Sequence, residues 1–353
     1  MLMPTLPVLP NAQLMQSLQF GFRQLFDFMA ERASLVGRLA PSPTGAQHIG
    51  NARTYLLAWL SLRARGGRVI LRVEDIDSPR VKAGAQAQAI EDLHWLGLDW
   101  DEGPDIGGRY APYVQTARLE HYRSALEQLK QAERIYPCTC TRSDVAAAAS
   151  APHVGQEGPV YPGTCAGRKA SDAASLGDRP FAWRFRASSV ARSLRDEVVG
   201  ERECNVAREL GDFVLAKSDD APAYQLAVVV DDHAMGVTEV LRGDDLLPSA
   251  FRQLEIYESL DWEPPHFAHV PLVIGEDGRR LAKRHGDTRL STLRDAGVPA
   301  QRLVGWLAWT CGLLDEPRPT TTHELLPMFR LDRLPRQPLV FTEATLRELC
   351  MPS

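Results

Sequence analysis

The stretch from Leu35 to Val73 limits the fold of this chain more than any other. Leu35 to Ala40 is a short apolar, strand-like run that enters the turn Pro41-Ser42-Pro43-Thr44-Gly45. From Ile49 to Arg65 the residues Leu56, Leu57, Trp59 and Leu60 recur at helical spacing, and Gly66-Gly67 supplies a stop. Val69 to Val73 reads as a second, buried strand. A strand, a helix and a strand packed into so few residues make a βαβ unit, whose crossover dictates parallel strands. The expected fold class is therefore α/β, with a doubly wound parallel sheet. Further helices are predicted over residues 82–96, 116–131, 246–260 and 302–313. Strand-like runs are read at Phe181–Arg186, Phe213–Ala216, Ala223–Val230, Val237–Leu241 and Phe267–Ile274.

Domain boundaries follow from changes in pattern. Residues 1–33 carry Pro4, Pro7 and Pro10 and a short apolar stretch, with neither the basic flank nor the cleavage pattern of a signal peptide. They are expected to be either a poorly ordered extension or the result of a misplaced start, translation in the second case beginning at Met29. Residues 34–290 are expected to form the main domain, interrupted at about 136–210 by a loop-rich insertion that carries Cys138, Cys140, Tyr161 and Cys165. Residues 291–353 are expected to form a small helical region.

Composition excludes some classes. With 44% hydrophobic and 24% charged residues, the chain is of the globular type, and no apolar run reaches the length of a membrane span. Six cysteines without a secretory signal argue for reduced thiols in the cytoplasm and against a disulfide framework. The net charge of −5 does not advertise a nucleic-acid binder. The charge is uneven, however: from Arg279 to Ser353 there are 12 Lys/Arg against 8 Asp/Glu. Such an excess suits a polyanionic partner, and is also what an ordinary solvated face looks like.

Two segments point to phosphate chemistry. In Gln47-His48-Ile49-Gly50-Asn51 a histidine and a glycine stand at the start of the first helix, where free backbone N–H groups and the helix dipole favour anions. Far along the chain, Arg279-Arg280-Leu281-Ala282-Lys283-Arg284-His285-Gly286 is a basic loop centred on Lys283. Of the 40 basic residues only five are lysine, which makes a lysine in that loop harder to dismiss as surface filler. A helix N-terminus on one side and a cationic loop on the other is what an enzyme making an acyl-adenylate needs around a triphosphate. Each segment alone is equally compatible with an ordinary turn or a solvated loop.

Taken together, the motifs resemble the class I aminoacyl-tRNA synthetases, and among them the glutamyl and glutaminyl branch. The carriers are GRLAPSPTG followed by HIGN, LRVEDID (Leu71 to Asp77), YQLAVVVDDHAMGVTEVLRGDDL (Tyr224 to Leu246) and LAKRHG. They occur in the family's order and cover about Gly37 to Arg289. Asn51 stands where the family's signature usually has a second histidine, and Ala282 where the lysine loop usually has a serine. The resemblance implies a Rossmann-type catalytic domain with a zinc-binding insertion. It implies that Arg38, Ala40 (through its backbone), Ser42, Glu74, Tyr224 and Arg242 line a pocket for L-glutamate. It also implies that His48, Gly50, Asn51 and Lys283 serve ATP with its Mg²⁺, His48 and Lys283 being the catalytic pair. The residue chemistry agrees: Arg38 and Arg242 suit bidentate carboxylate recognition, and Glu74 suits an ammonium.

On spacing alone, Cys138-x-Cys140 with Cys165 is a weak metal signal that leaves one tetrahedral position open. The resemblance supplies Tyr161 as the fourth ligand of one structural Zn²⁺ per chain, with His153 as a rival. About 70 residues follow the Lys283 loop, fewer than the anticodon-reading region of a glutamyl-tRNA synthetase requires. The expected activity is that of a branch of this family which activates glutamate without tRNA. That branch then esterifies the glutamate to queuosine in the anticodon of tRNA(Asp). A monomer without membrane attachment is expected. Two alternatives stay open: a truncated synthetase charging a tRNA 3′ end, and a non-catalytic paralogue.

Overall fold

The structure, a computed structural model, describes residues 35–43, 46–76, 81–148, 159–281 and 287–351. The extension at 1–33, His153 and the loop residues Ala282 and Lys283 lie outside these residues. In chain order the elements are β1 (Val36–Leu39), α1 (Ile49–Arg63), β2 (Arg68–Leu71), α2 (Ala85–Trp95), α3 (Leu119–Gln131), β3 (Ile135–Cys138) and α4 (Arg142–Ala148). There follow β4 (Ala182–Phe185), β5 (Arg192–Asp196), β6 (Gly200–Cys204), α5 (Val206–Glu209), β7 (Phe213–Lys217), α6 (Tyr224–Ala234), β8 (Glu239–Gly243), α7 (Leu247–Ser259) and β9 (His266–Val270). The chain closes with β10 (Val273–Gly275), α8 (Leu290–Asp295), α9 (Ala300–Thr310), β11 (Leu339–Phe341) and α10 (Glu343–Cys350).

The predicted βαβ unit is present. β1 and β2 run parallel with Val36 opposite Arg68, and α1 crosses between them. The main sheet has the order β2-β1-β8-β9, and all its pairings are parallel. From β1 the chain first steps outward to β2 and later returns to lay β8 and β9 on the other side. Crossovers of one hand that step in opposite directions put helices on opposite faces, and here α1 packs on one face and α3, α6 and α7 on the other, so the sheet is doubly wound. Alternate strand residues feed two cores. Leu39, Val69, Leu71, Leu241 and Ala268 face α1 and the segment after residue 290. Val36, Ile70, Val240 and Phe267 face α3, α6 and α7. Gly37 allows α1 to approach closely: a Cβ there would lie 2.7 Å from a Leu62 methyl and 3.1 Å from the Glu239 carbonyl, so the Leu62 side chain would have to move.

One predicted strand is a helix, and the predicted strand Phe267–Ile274 is divided between β9 and β10, which belong to different sheets. Ala223–Val230 reads as a strand, yet Tyr224–Ala234 is a helix. Leu226 to Asp232 are all buried, because α6 is covered on several sides. A helix that is apolar nearly all round shows no 3.6-residue period, and its run of valines then mimics a strand. Helical geometry also turns Asp231 and Asp232 in different directions, which matters below.

Within the insertion, β3, β4 and β7 form an antiparallel sheet. The hairpin β5–β6, which has no counterpart among the predicted strands, lies against the open edge of the main sheet, where Glu197 N donates to Phe267 O at 2.9 Å. After residue 290, α9 buries Leu303, Val304 and Leu307 in the same core as α1, and β11 pairs in parallel with β10. Among the described residues no helix is long and apolar enough to cross a membrane.

Candidate active site at the carboxyl ends of the strands

Strand order reverses between β1 and β8, and ligands in open α/β sheets bind outside the carboxyl ends at such a switch point. The two strands pair at Gly37 and Glu239, near their amino ends. A crevice of about 260 Å³ opens beyond their carboxyl ends. Of the residues read from the sequence, Arg38, Ala40, His48, Gly50, Asn51, Glu74, Tyr224 and Arg242 all line it. Ser42 is exposed on the turn and is not part of the lining. Lys283 lies outside the described residues, but both flanks of its loop converge here. Arg280 lines the crevice, and Arg289 forms an antiparallel bridge with His48, with Ile49 N donating to Thr288 O at 3.0 Å.

His48 is the N-cap of α1. Its Nδ1 accepts from Gly50 N at 3.1 Å and Asn51 N at 3.4 Å, while Asn51 Oδ1 accepts from His48 N at 3.1 Å. This reciprocal capping box accounts for asparagine at position 51. Gly50 fits under the imidazole because a Cβ would sit 3.0–3.1 Å from the ring. With Nδ1 committed as acceptor, the neutral ring carries its proton on Nε2 and presents a donor. Burial, helped by the charge of Arg280, lowers the His48 pKa to about 4. The ring is thus neutral at pH 7, a hydrogen-bond donor and not a proton shuttle. Unfolded histidine takes up its proton near pH 6.5 and folded His48 only near 4. This group's contribution to stability therefore falls as the pH drops through that window and is restored as it rises. In a histidine NMR titration, the His48 ring is expected to titrate near pH 4; a midpoint near 6.5 would show that it is neither buried nor engaged in the cap.

The opposite wall is cationic. Arg242 is only 4% exposed. Its Nε donates to His269 Nε2 at 3.0 Å, and its Nη2 to Gln253 Oε1 at 2.9 Å and Leu246 O at 3.4 Å. Its Nη1 is buried and has no hydrogen-bond partner among the described residues, and the guanidinium forms no ion pair with any of them. Burial lowers its pKa, as expected of a cation without a counter-ion.

Arg38 is better compensated: Nη1 donates to Leu241 O at 3.4 Å, and Nε lies 3.6 Å from Asp232. Asp232 also accepts from Arg72 Nη1 at 2.7 Å, and Arg72 Nη2 donates to Glu74 at 2.9 Å. Burial pushes the Glu74 carboxyl up, against the pull of Arg72 and Arg38. Asp231, turned the other way by the helix, is held by Arg118 Nε at 2.6 Å, Tyr122 at 2.9 Å and Gln115 at 3.0 Å. At the mouth, Arg280 reaches Asp245 at 2.8 Å. The supporting roles of Arg72, Asp231 and Asp232 are absent from the sequence reading, although all three lie inside its motifs. His269, Asp196 and Gln253 carry no sequence signal at all.

The cysteines converge away from this crevice. The sulfurs of Cys138, Cys140 and Cys165 lie within 4.8 Å of one another. Cys140 and Cys165 are 3.8 Å apart, close to the separation of about 3.8 Å that two 2.3 Å Zn–S bonds span at a tetrahedral angle. The Tyr161 hydroxyl lies 3.3 Å from Cys138 Sγ and 3.8 Å from Cys140 Sγ. The three sulfurs could hold one metal ion, and the Tyr161 hydroxyl is near enough to join them. Burial pushes the Cys140 thiol and the Tyr161 phenol up, so without a metal these groups stay protonated. The Arg184 guanidinium, 3.8 Å from the Tyr161 ring centroid, favours the phenolate.

Residues 34–347 match the family model described as tRNA synthetases class I (E and Q), catalytic domain. A protein of Rhodopirellula baltica named glutamyl-Q tRNA(Asp) synthetase is 51% identical over 327 residues, 87% of this chain and 97% of that one. A protein of the same name from Symbiobacterium thermophilum is 49% identical, over 89% of this chain and 98% of its own. The crystal structure of a glutamate tRNA ligase from Elizabethkingia meningosepticum in complex with its amino acid superposes with a TM-score of 0.77 at 28% identity, covering 90% of this chain and 68% of that one.

Proposed function

The chain belongs to the class I tRNA synthetases of the glutamate and glutamine type, and from that premise we propose that it activates L-glutamate with ATP, without tRNA, and passes it to queuosine in the anticodon of tRNA(Asp). The observation that carries the first half is Arg242: a buried guanidinium, tied on two sides, whose remaining Nη1 is unpartnered at a crevice. A carboxylate is the partner such a group lacks. Glu74, anchored by Arg72, suits the ammonium of an amino acid, and Tyr224 stands beside it as a hydrogen-bonding group. Arg38 adds a second cation for the other carboxylate.

In the proposed reaction the α-carboxylate oxygen attacks the α-phosphorus of ATP, the bond to the bridging oxygen breaks, and pyrophosphate leaves; Mg²⁺ brought in with ATP would offset part of its charge. Nε2–H of His48 and the dipole of α1, whose first amides are taken by His48 and Thr288, stabilise charge on the phosphates, and Lys283 neutralises the leaving group. No side chain acts as nucleophile: the contribution is positioning and charge stabilisation. A queuosine hydroxyl then attacks the acyl carbon, forming an ester and releasing AMP. The relatives named glutamyl-Q tRNA(Asp) synthetase, matched over nearly their whole lengths, support this acceptor. The test of activation is glutamate-dependent exchange of pyrophosphate into ATP in the absence of tRNA. Exchange that requires tRNA, or that proceeds equally with other amino acids, sinks the reading.

Zn²⁺ held by Cys138, Cys140, Tyr161 and Cys165 would be structural, closing the insertion without an open position for chemistry. About one zinc per chain is expected in protein purified without chelator, and Cys165→Ser is expected to lose most of it. Less than about a tenth of an equivalent in the unaltered protein would mean that these are free thiols.

A further inference from the structure

Arg242 is held from behind by two groups that never face the crevice. Its Nε donates to His269 Nε2 at 3.0 Å, so that ring nitrogen must be an acceptor. His269 Nδ1 lies 2.6 Å from Asp196 Oδ2 and therefore carries the proton. Asp196 in turn accepts the backbone amides of Val198 and Val199, each at 2.9 Å, and of His269 at 3.1 Å. Both the Asp196 and His269 side chains are fully buried. The carboxylate thus fixes the histidine tautomer, and the tautomer fixes the guanidinium. With the proton on Nε2 instead, two donors would face each other where the 3.0 Å contact now lies.

We propose that Asp196 and His269 are positioning residues for recognition of the substrate carboxylate, holding the Arg242 guanidinium in plane while leaving its charge unspent. The inference rests on the glutamate reading above. A carboxylate set directly against Arg242 would orient it equally well, but would neutralise it and compete with the substrate. A neutral imidazole between the two accepts the hydrogen bond without supplying a counter-ion. Asp196 ends β5, and the hairpin it belongs to sits on β9, the strand that carries His269. The hairpin therefore helps to shape the glutamate pocket, although it lines no part of it.

The experiment is pyrophosphate exchange with separate Michaelis constants for glutamate and ATP in four proteins: the unaltered chain, His269→Gln, His269→Glu and Asp196→Asn. Glutamine and glutamate have nearly the same shape, and both can accept from Arg242 Nε; glutamine can also donate to Asp196, whereas glutamate sets a second buried carboxylate against it. The glutamine variant is expected to stay within about fivefold of the unaltered KM for glutamate, and the glutamate variant to exceed it by about thirtyfold or more. Asp196→Asn can donate to Nδ1, moves the ring proton to Nε2, and is expected to raise KM for glutamate about tenfold or more. KM for ATP should change by less than about threefold throughout. Equal KM values for the glutamine and glutamate variants, or ATP constants that move in step, would overturn the positioning role. Thermal melting of each variant identifies any that fail to fold, and either remaining comparison decides alone. An unaltered protein whose exchange does not saturate with glutamate would instead refute the functional reading itself.

Discussion

Arg242→Ala is expected to raise the Michaelis constant for glutamate by roughly 30- to 1000-fold, with the constant for ATP changed by less than about threefold. The size follows from burial. A carboxylate placed against Nη1 leaves water for a site 4% exposed, and only the guanidinium compensates its lost hydration. Removing that partner costs about 2–4 kcal/mol, which at 25 °C is the stated range. The truncation also leaves His269 Nε2 and Gln253 Oε1 without their donor and removes a cation stacked 5.2 Å from the Phe267 ring centroid. A melting curve must therefore accompany the kinetics. Arg242→Lys keeps a charge but not the planar fork that serves His269, Gln253 and a ligand together, and should fall between the two. Equal effects on glutamate and ATP would mean a folding defect or a misassigned pocket.

The second expected result is all-or-none. Queuosine-bearing tRNA(Asp) should become labelled with glutamate in the presence of ATP, and the same tRNA with guanine at the wobble position should not, as read by acid gel electrophoresis. The contrast is chemical. The cyclopentenediol of queuosine supplies a hydroxyl that can attack the acyl carbon, and guanine has none to offer. Contacts to phosphates would position the anticodon loop but would not discriminate between the two tRNAs. The 12 basic against 8 acidic residues from Arg279 onward suit such contacts, and labelling should weaken as salt rises. Efficient charging of tRNA(Glu) at its 3′ end would replace the acceptor assignment and leave glutamate activation standing.

Much of this site is written locally in the sequence. The βαβ unit is legible because strand and helix periods are short-range signals, and the turn, the His48 cap and the Gly50 contact all lie within a few residues of one another. The residues proposed to meet a ligand cluster in compact motifs, so Arg38, Glu74, Tyr224 and Arg242, which all line the crevice, can be named before any fold is known. What tertiary structure alone decided is how those residues are held. The α6 segment reads as a strand because a helix buried on several sides loses its period, and only its folded form turns Asp231 toward Arg118 and Asp232 toward Arg72 and Arg38. The cysteines give two-residue spacing, but that three sulfurs and a phenol can surround one cation depends on a distance, not on a pattern. Asp196 and His269 lie 73 residues apart and share no motif. Buried hydrogen bonds between distant segments leave no periodicity behind, because each partner needs only to be polar and to arrive at the right place. The sequence determined which groups the crevice offers to the proposed dicarboxylate and nucleotide; the packing of β5 against β9 brought Asp196 to His269 behind Arg242.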